Sequence, residues 1–175
     1  MSEEKLARLK AIVTEIADVN YAAALLGWDQ QVNMPPGGAE SRGNQLATLQ
    51  TIAHARLTSP ETGQLLDDLD GYAAQLDPDS DDARYIKAAR RQYDKQTKVP
   101  GEWIAEFAQA TTLGHQLWAK ARAENNFALF QPSVEHIMEL RRRYADFFAP
   151  YDHVYDPLLD DFEPGLKTAD VKAIF

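Results

Sequence analysis

Apolar residues recur at three- and four-residue steps through the first part of this chain: Leu6, Leu9, Ile12, Val13, Ile16, Val19, Ala23 and Leu26. That spacing lays them along one stripe of a long helix and cannot serve a strand, whose faces alternate every second residue. Ser2 is placed to cap the helix, and Glu3 and Glu4 favour the positive end of its dipole. The pattern stops at Trp28. Pro35-Pro36-Gly37-Gly38 then interrupts any helix, because proline removes backbone donors and paired glycines cost backbone entropy.

The same periodicity continues downstream. A second helix is expected from about Ser41 to Arg56, and a third opens at Ser59-Pro60-Glu61, where a capping residue is followed by proline and an acid. Asp77-Pro78-Asp79-Ser80 breaks it. Between Thr58 and Asp82 there are eight acids and no base, whereas Ala83 to Lys98 holds six bases and Asp94. Antiparallel neighbours of opposite sign would pair their exposed faces, each pair contributing only about 0.2–1 kcal/mol.

A further helix begins at Pro100-Gly101, carries Trp103, Ile104, Phe107, Leu113 and Leu117, and ends near Asn125-Asn126. Another follows Pro132, with Val134, Ile137, Met138, Leu140 and Tyr144 on its apolar side. Thr168 resembles a cap, with Asp170 in the first turn and Val171, Ile174 and Phe175 opening an apolar face. About seven residues after a cap fall short of the roughly 12–15 that an isolated helix needs, so this stripe calls for more sequence or a docking partner. No run of alternating β-branched residues is bounded by hairpin signals. The expected class is all-α, with about six or seven helices.

At 175 residues, 45% of them hydrophobic, the chain has enough apolar surface for a core, and one helical domain over 1–175 is the simplest organisation. The formal charge of −9 repels polyphosphates and anionic lipid, so nucleic acid is not an expected partner. The absence of cysteine excludes disulfides, thiolate nucleophiles and sulfur metal ligands, and fits a reducing compartment such as the cytoplasm. The N-terminus lacks the basic start and apolar run of a signal peptide, and no stretch of about 18 apolar residues forms a membrane span.

The residues also limit the chemistry. A helical zinc site needs two histidines four apart with a glutamate between them, so that both imidazoles reach one metal. His54, His115, His136 and His153 offer no such pair, and the nearest approach is His136 with Glu135 and Glu139. Glu-x-x-His, the di-iron bundle pattern, is absent as well, since Thr51, Thr112, Ser133 and Pro150 stand three before the histidines. There is neither a G-x-S-x-G elbow nor a phosphate loop. The acids Asp160, Asp161 and Glu163 form no distinctive pair in so acidic a chain.

Two loops remain as candidate sites. In the first, Trp28 and Asp29 stand where the first helix gives way to the Pro-Pro-Gly-Gly turn, and Arg42 starts the next helix; Asp29 is expected either to cap that helix or to pair with Arg42. In the second, Tyr155, Asp156, Asp160 and Glu163 precede the abrupt turn Pro164-Gly165. Here a structural and a functional role stand equally open.

The segment LLGWDQQVNMPPGGAESRGNQLATL (25–49) resembles the N-terminal signature of the carboxypeptidase Taq family in its Trp-Asp, Met-Pro and following Arg. RRQYDKQTKVP (90–100), WAKARAENNFALFQP (118–132) and YDPLLDDFEPG (155–165) are similar to the same family, in the same order. The resemblance covers the whole chain and the first third of a family member. It implies the multi-helical N-terminal region of a larger, mostly helical homodimeric metallocarboxypeptidase, which removes C-terminal residues one at a time with broad preference. It implies zinc, or another divalent metal such as cobalt, held by an H-E-x-x-H pair and a downstream glutamate. None of those ligands maps onto this chain, so no catalytic or metal residue is carried over, and the chain alone is expected to be inactive. Trp28, Asp29, Arg42, Tyr155, Asp156 and Glu163 are then groove-lining or loop-building candidates. The competing reading is a free-standing helical interaction module that has lost the catalytic part.

Overall fold

The computed structural model describes residues 2–175, and all regular structure among them is helical. In chain order the helices are α1 (Ser2–Val32), α2 (Ala39–Leu57), α3 (Pro60–Ala73), α4 (Asp81–Gln96), α5 (Gly101–Ala123), α6 (Gln131–Asp146), α7 (Asp156–Leu159) and α8 (Thr168–Ile174). Short 3₁₀ turns at Pro36–Gly38 and Phe127–Leu129 lead into α2 and α6. α7 is a single turn, so seven helices are longer than one turn, at the upper end of the expected number.

The chain divides into two compact units, Met1–Gln116 and Leu117–Phe175. In the first, α1 packs against α2 and α3, and α3 packs against α4. Its core is the meeting of Leu6 and Leu9 from α1, Leu66 and Leu69 from α3, and Ile86 and Ala89 from α4, with Val13, Tyr72, Tyr85 and Tyr93 around it. These positions repeat at three or four residues because each helix turns one face to the others. Ser59 caps α3 as expected, its Oγ accepting from the Thr62 amide at 3.3 Å. Ser80 does the same for α4 through the Ala83 amide.

Opposite charge does meet across α3 and α4: Arg90 reaches Asp67 at 2.8 Å and Asp70 at 3.3 Å. At Gly63 the Tyr93 side chain of α4 packs directly on α3, since a Cβ there would lie 2.3 Å from the Tyr93 hydroxyl. α5 lies along α2 in this unit, with Gln109 donating to the Asn44 side chain at 3.0 Å and Gln116 donating to the Pro36 carbonyl.

In the second unit α6 buries Leu140, Tyr144 and Ala145, and α7 packs against α6. The Ala149–Pro150 peptide is cis.

Three boundaries differ from the sequence reading. α1 runs on to Val32 rather than stopping at Trp28, because nothing between Trp28 and Pro35 breaks a helix; its end is marked by the Asp29 carbonyl, which accepts from both Asn33 and Met34 at 2.9 Å. α2 starts at Ala39, since the Pro36–Gly38 turn feeds straight into it. Thr168 is the first residue of α8 rather than its cap; its hydroxyl is drawn to Asp156 instead.

Candidate functional site

The first loop is built by a pair of residues thirteen apart. Arg42, near the start of α2, points back at the end of α1, donating to the Asp29 carboxylate at 2.5 Å and to the Leu26 carbonyl, and its Nε reaches the Gln45 amide oxygen at 3.1 Å. The guanidinium is nearly enclosed, with 12% of its side chain exposed, while Asp29 keeps 34%. Arg42's hydrogen bond holds the Asp29 carboxyl below its ordinary range, and Asn33 adds to the effect. Of the two roles open to Asp29, the geometry selects the pairing. Trp28 stands apart from it, 57% exposed.

Trp28 belongs to a longer exposed apolar row: Tyr21, Leu25, Trp28 and Val32 follow one another at four, three and four residues along α1 and all lie open. The same periodicity that buries Leu6, Leu9 and Ile12 therefore continues on a face that nothing in this unit covers.

The second loop is organised around one buried carboxylate. Asp156, 5% exposed, accepts through one oxygen from the Thr168 amide at 2.8 Å and the Thr168 hydroxyl at 2.6 Å, and through the other from the His153 amide at 3.2 Å. Lys167 approaches to 3.6 Å. The Thr168 hydrogen bonds are the main reason that the Asp156 carboxyl is held down at about 2. Asp156 thus ties the entry of α8 to the turn before α7.

Two further side chains stiffen the loop. Asp160 accepts from the Gly165 amide at 2.9 Å, where the chain adopts φ +85°, a conformation glycine takes without strain. Tyr144 of α6 donates to Asp161 at 2.7 Å, and burial followed by that bond raises its phenol well above the ordinary value. Tyr155 and Glu163 are exposed, and Glu163 makes no side-chain hydrogen bond or ion pair among the described residues.

The sequence reading missed His153, Lys167 and the Thr168 hydroxyl as partners of Asp156. Asp156 and Thr168 are twelve residues apart, and no local pattern links them. Among the described residues no three histidine, aspartate or glutamate side chains gather as a metal site.

Both loops thus resolve into polar ties that hold helix ends, framed by exposed aromatics. The family model for carboxypeptidase Taq (M32) metallopeptidase matches residues 8–175. The chain belongs to this family. It is 31% identical over 170 residues to thermostable carboxypeptidase 1 of Thermus thermophilus, a match covering 92% of this chain and 33% of that protein. To thermostable carboxypeptidase 1 of Pyrococcus furiosus it is 30% identical over 176 residues, covering 98% of this chain and 34% of the relative.

Solved structures agree. BsuCP superposes with a TM-score of 0.91 at 25% identity, and the Pyrococcus furiosus carboxypeptidase with 0.76 at 29%; each match covers 98% of this chain and 34% of that one. The M32 carboxypeptidase of Deinococcus radiodurans gives 0.74 at 29% identity over the same shares. This M32 chain spans about a third of the length of the relatives it matches. None of its described helices is long and apolar enough to cross a membrane.

Proposed function

We propose that this chain is the N-terminal helical region of a metal-dependent carboxypeptidase, and that it serves the enzyme as a wall of the substrate groove rather than as a source of metal ligands. One observation carries this reading: a family match that runs through nearly the whole chain, on a fold whose described residues form no three-ligand cluster. The parent enzyme would hold zinc, or another divalent metal such as cobalt, on residues outside these 175 and release C-terminal amino acids with broad preference.

What this chain's own residues do is positional. Arg42 and Asp29 lock the end of α1 to the start of α2, and Asp156 locks α8 to the second loop. Trp28, Tyr155 and Glu163 are left exposed on these rigid supports, available to line a groove that admits an unfolded C-terminus. The exposed row on α1 is a face for the rest of the enzyme or for a homodimer contact. Absence of cysteine suits a cytoplasmic protein.

The test is to express the complete reading frame that carries this chain and assay amino-acid release from N-blocked dipeptides, with and without a chelator. Chelator-sensitive release is expected. A frame with no H-E-x-x-H and a product that releases nothing would instead favour the free-standing interaction module.

A further inference from the structure

One ring nitrogen in the second loop serves two neighbours with opposite requirements. The Tyr155 amide donates to His153 Nδ1 at 3.1 Å, and an N–H donates only to a bare nitrogen, so the neutral ring carries its proton on Nε2. The same Nδ1 lies 3.3 Å from the Thr168 hydroxyl oxygen. That hydroxyl places its single proton on the Asp156 carboxylate at 2.6 Å, the shorter and charge-assisted bond, so it turns only lone pairs towards the imidazole. Thr168 and Asp156 are buried, whereas His153 stands open to solvent. The fixed partners are therefore inside, and the titratable ring is within reach of bulk protons.

Protonation reverses this bonding. An imidazolium has no acceptor, so the Tyr155 amide loses its hydrogen bond, for which no second acceptor stands by among the described residues. Nδ1–H gains the Thr168 oxygen in exchange, completing a chain from His153 through Thr168 to the Asp156 carboxylate. The charged groups around the ring are few. Asp152 adjoins it in the chain, Asp156 accepts from the His153 amide at 3.2 Å, and Lys167 joins these two acids at 3.3 and 3.6 Å. From α6, Asp146 accepts from the Tyr151 hydroxyl at 2.9 Å. What the exchange releases is the entry to α7, since the Tyr155 carbonyl accepts from the Leu158 and Leu159 amides at 3.1 and 3.0 Å. Histidine is the side chain that changes charge between about pH 5 and 8.

We propose that His153 is a proton-operated latch on the second loop: neutral, it holds the Tyr155 peptide, and protonated, it releases that peptide and bonds the Thr168 hydroxyl instead. The latch depends on this unit alone. Its consequence for the enzyme rests on the peptidase reading, in which the loop that presents Tyr155 to the groove loosens as pH falls below neutral.

The experiment is an NMR titration of the isotope-labelled 175-residue protein from about pH 8 to 5, with neither metal nor peptide added. Long-range proton–nitrogen spectra at the alkaline end should show His153 as the Nε2–H tautomer. As that ring titrates, the protection of the Tyr155 amide against exchange, corrected for the intrinsic rate, should fall about three- to tenfold, the worth of one net hydrogen bond. The Thr168 amide, held by Asp156, should stay protected throughout. His153→Asn, a change at an exposed position whose side-chain oxygen accepts without titrating, should keep the Tyr155 amide protected and abolish the pH response. An Nδ1–H tautomer at the alkaline end, Tyr155 protection that ignores the His153 titration, or a pH response that survives in His153→Asn would each overturn the proposal. Amino-acid release by the parent enzyme bears on none of these outcomes, so failure of the latch and failure of the peptidase reading are told apart.

Discussion

Leu9→Ala and Leu25→Ala are the same substitution on the same helix, and the structure predicts opposite consequences. Leu9 is fully buried between α1, α3 and α4, whereas Leu25 is 64% exposed. Truncation at Leu9 removes three carbons at about 0.8 kcal/mol each, or about 2.4 kcal/mol of lost burial. The cavity left among Leu6, Leu66 and Leu69 raises the cost to about 3–4 kcal/mol, within the usual range of about 2–5 for such changes. At Leu25 no cavity forms and alanine is the better helix former, so the change stays within about 0.5 kcal/mol. Urea unfolding followed by far-ultraviolet circular dichroism reads the difference. With an m-value of about 1–3 kcal/mol/M, Leu9→Ala should lower the midpoint by about 1–4 M with an unchanged slope. A loss below about 1 kcal/mol at Leu9 would refute the packing of α1. A comparable loss at Leu25 that grows with protein concentration would show that its face is covered by a second copy.

The buried carboxylate gives a pH signature. Because the folded Asp156 titrates at about 2, below the ordinary value of about 3.9, its contribution is complete above the ordinary value and is lost as pH falls through the folded one. Hydrogen exchange at the Thr168 and His153 amides should accelerate across that acid window, and Asp156→Asn should make both amides fast at every pH. Gly63→Ala should destabilise the protein although alanine gains about 1 kcal/mol in helix propensity, because its Cβ would meet the Tyr93 hydroxyl at 2.3 Å; Tyr93→Leu in the same chain should recover the loss. Asp29→Asn and Arg42→Met should each lower the melting point, with the double variant falling short of their sum, since both remove one shared bond. Additive losses would contradict the pairing.

What the sequence made legible follows physical range. The helices, their faces and the Ser59 cap depend on contacts three or four residues apart, and those periodicities are visible in the letters. The Asp29–Arg42 pair spans thirteen residues but sits across a Pro-Pro-Gly-Gly turn tight enough to bring its ends together, so it too could be anticipated. Asp156 could not be resolved, because its partner Thr168 lies across a loop whose path is set by tertiary packing. Thr168 resembles a cap because it is a hydroxyl residue at the start of a helix; a buried carboxylate, the stronger acceptor, claims that hydroxyl. The exposed row from Tyr21 to Val32 obeys the helical period as well as the buried one does, so periodicity alone cannot say which stripe this unit covers.

On the proposed function, these 175 residues shape and support a peptidase without holding its metal. Equilibrium dialysis of the purified chain against zinc, followed by elemental analysis and an N-blocked dipeptide assay, tests it most directly. At most weak surface binding and no amino-acid release are expected, since no pair of the chain's histidines has ligand spacing and no three-ligand cluster forms among the described residues. One tightly held zinc per chain, accompanied by release of the C-terminal residue, would contradict it.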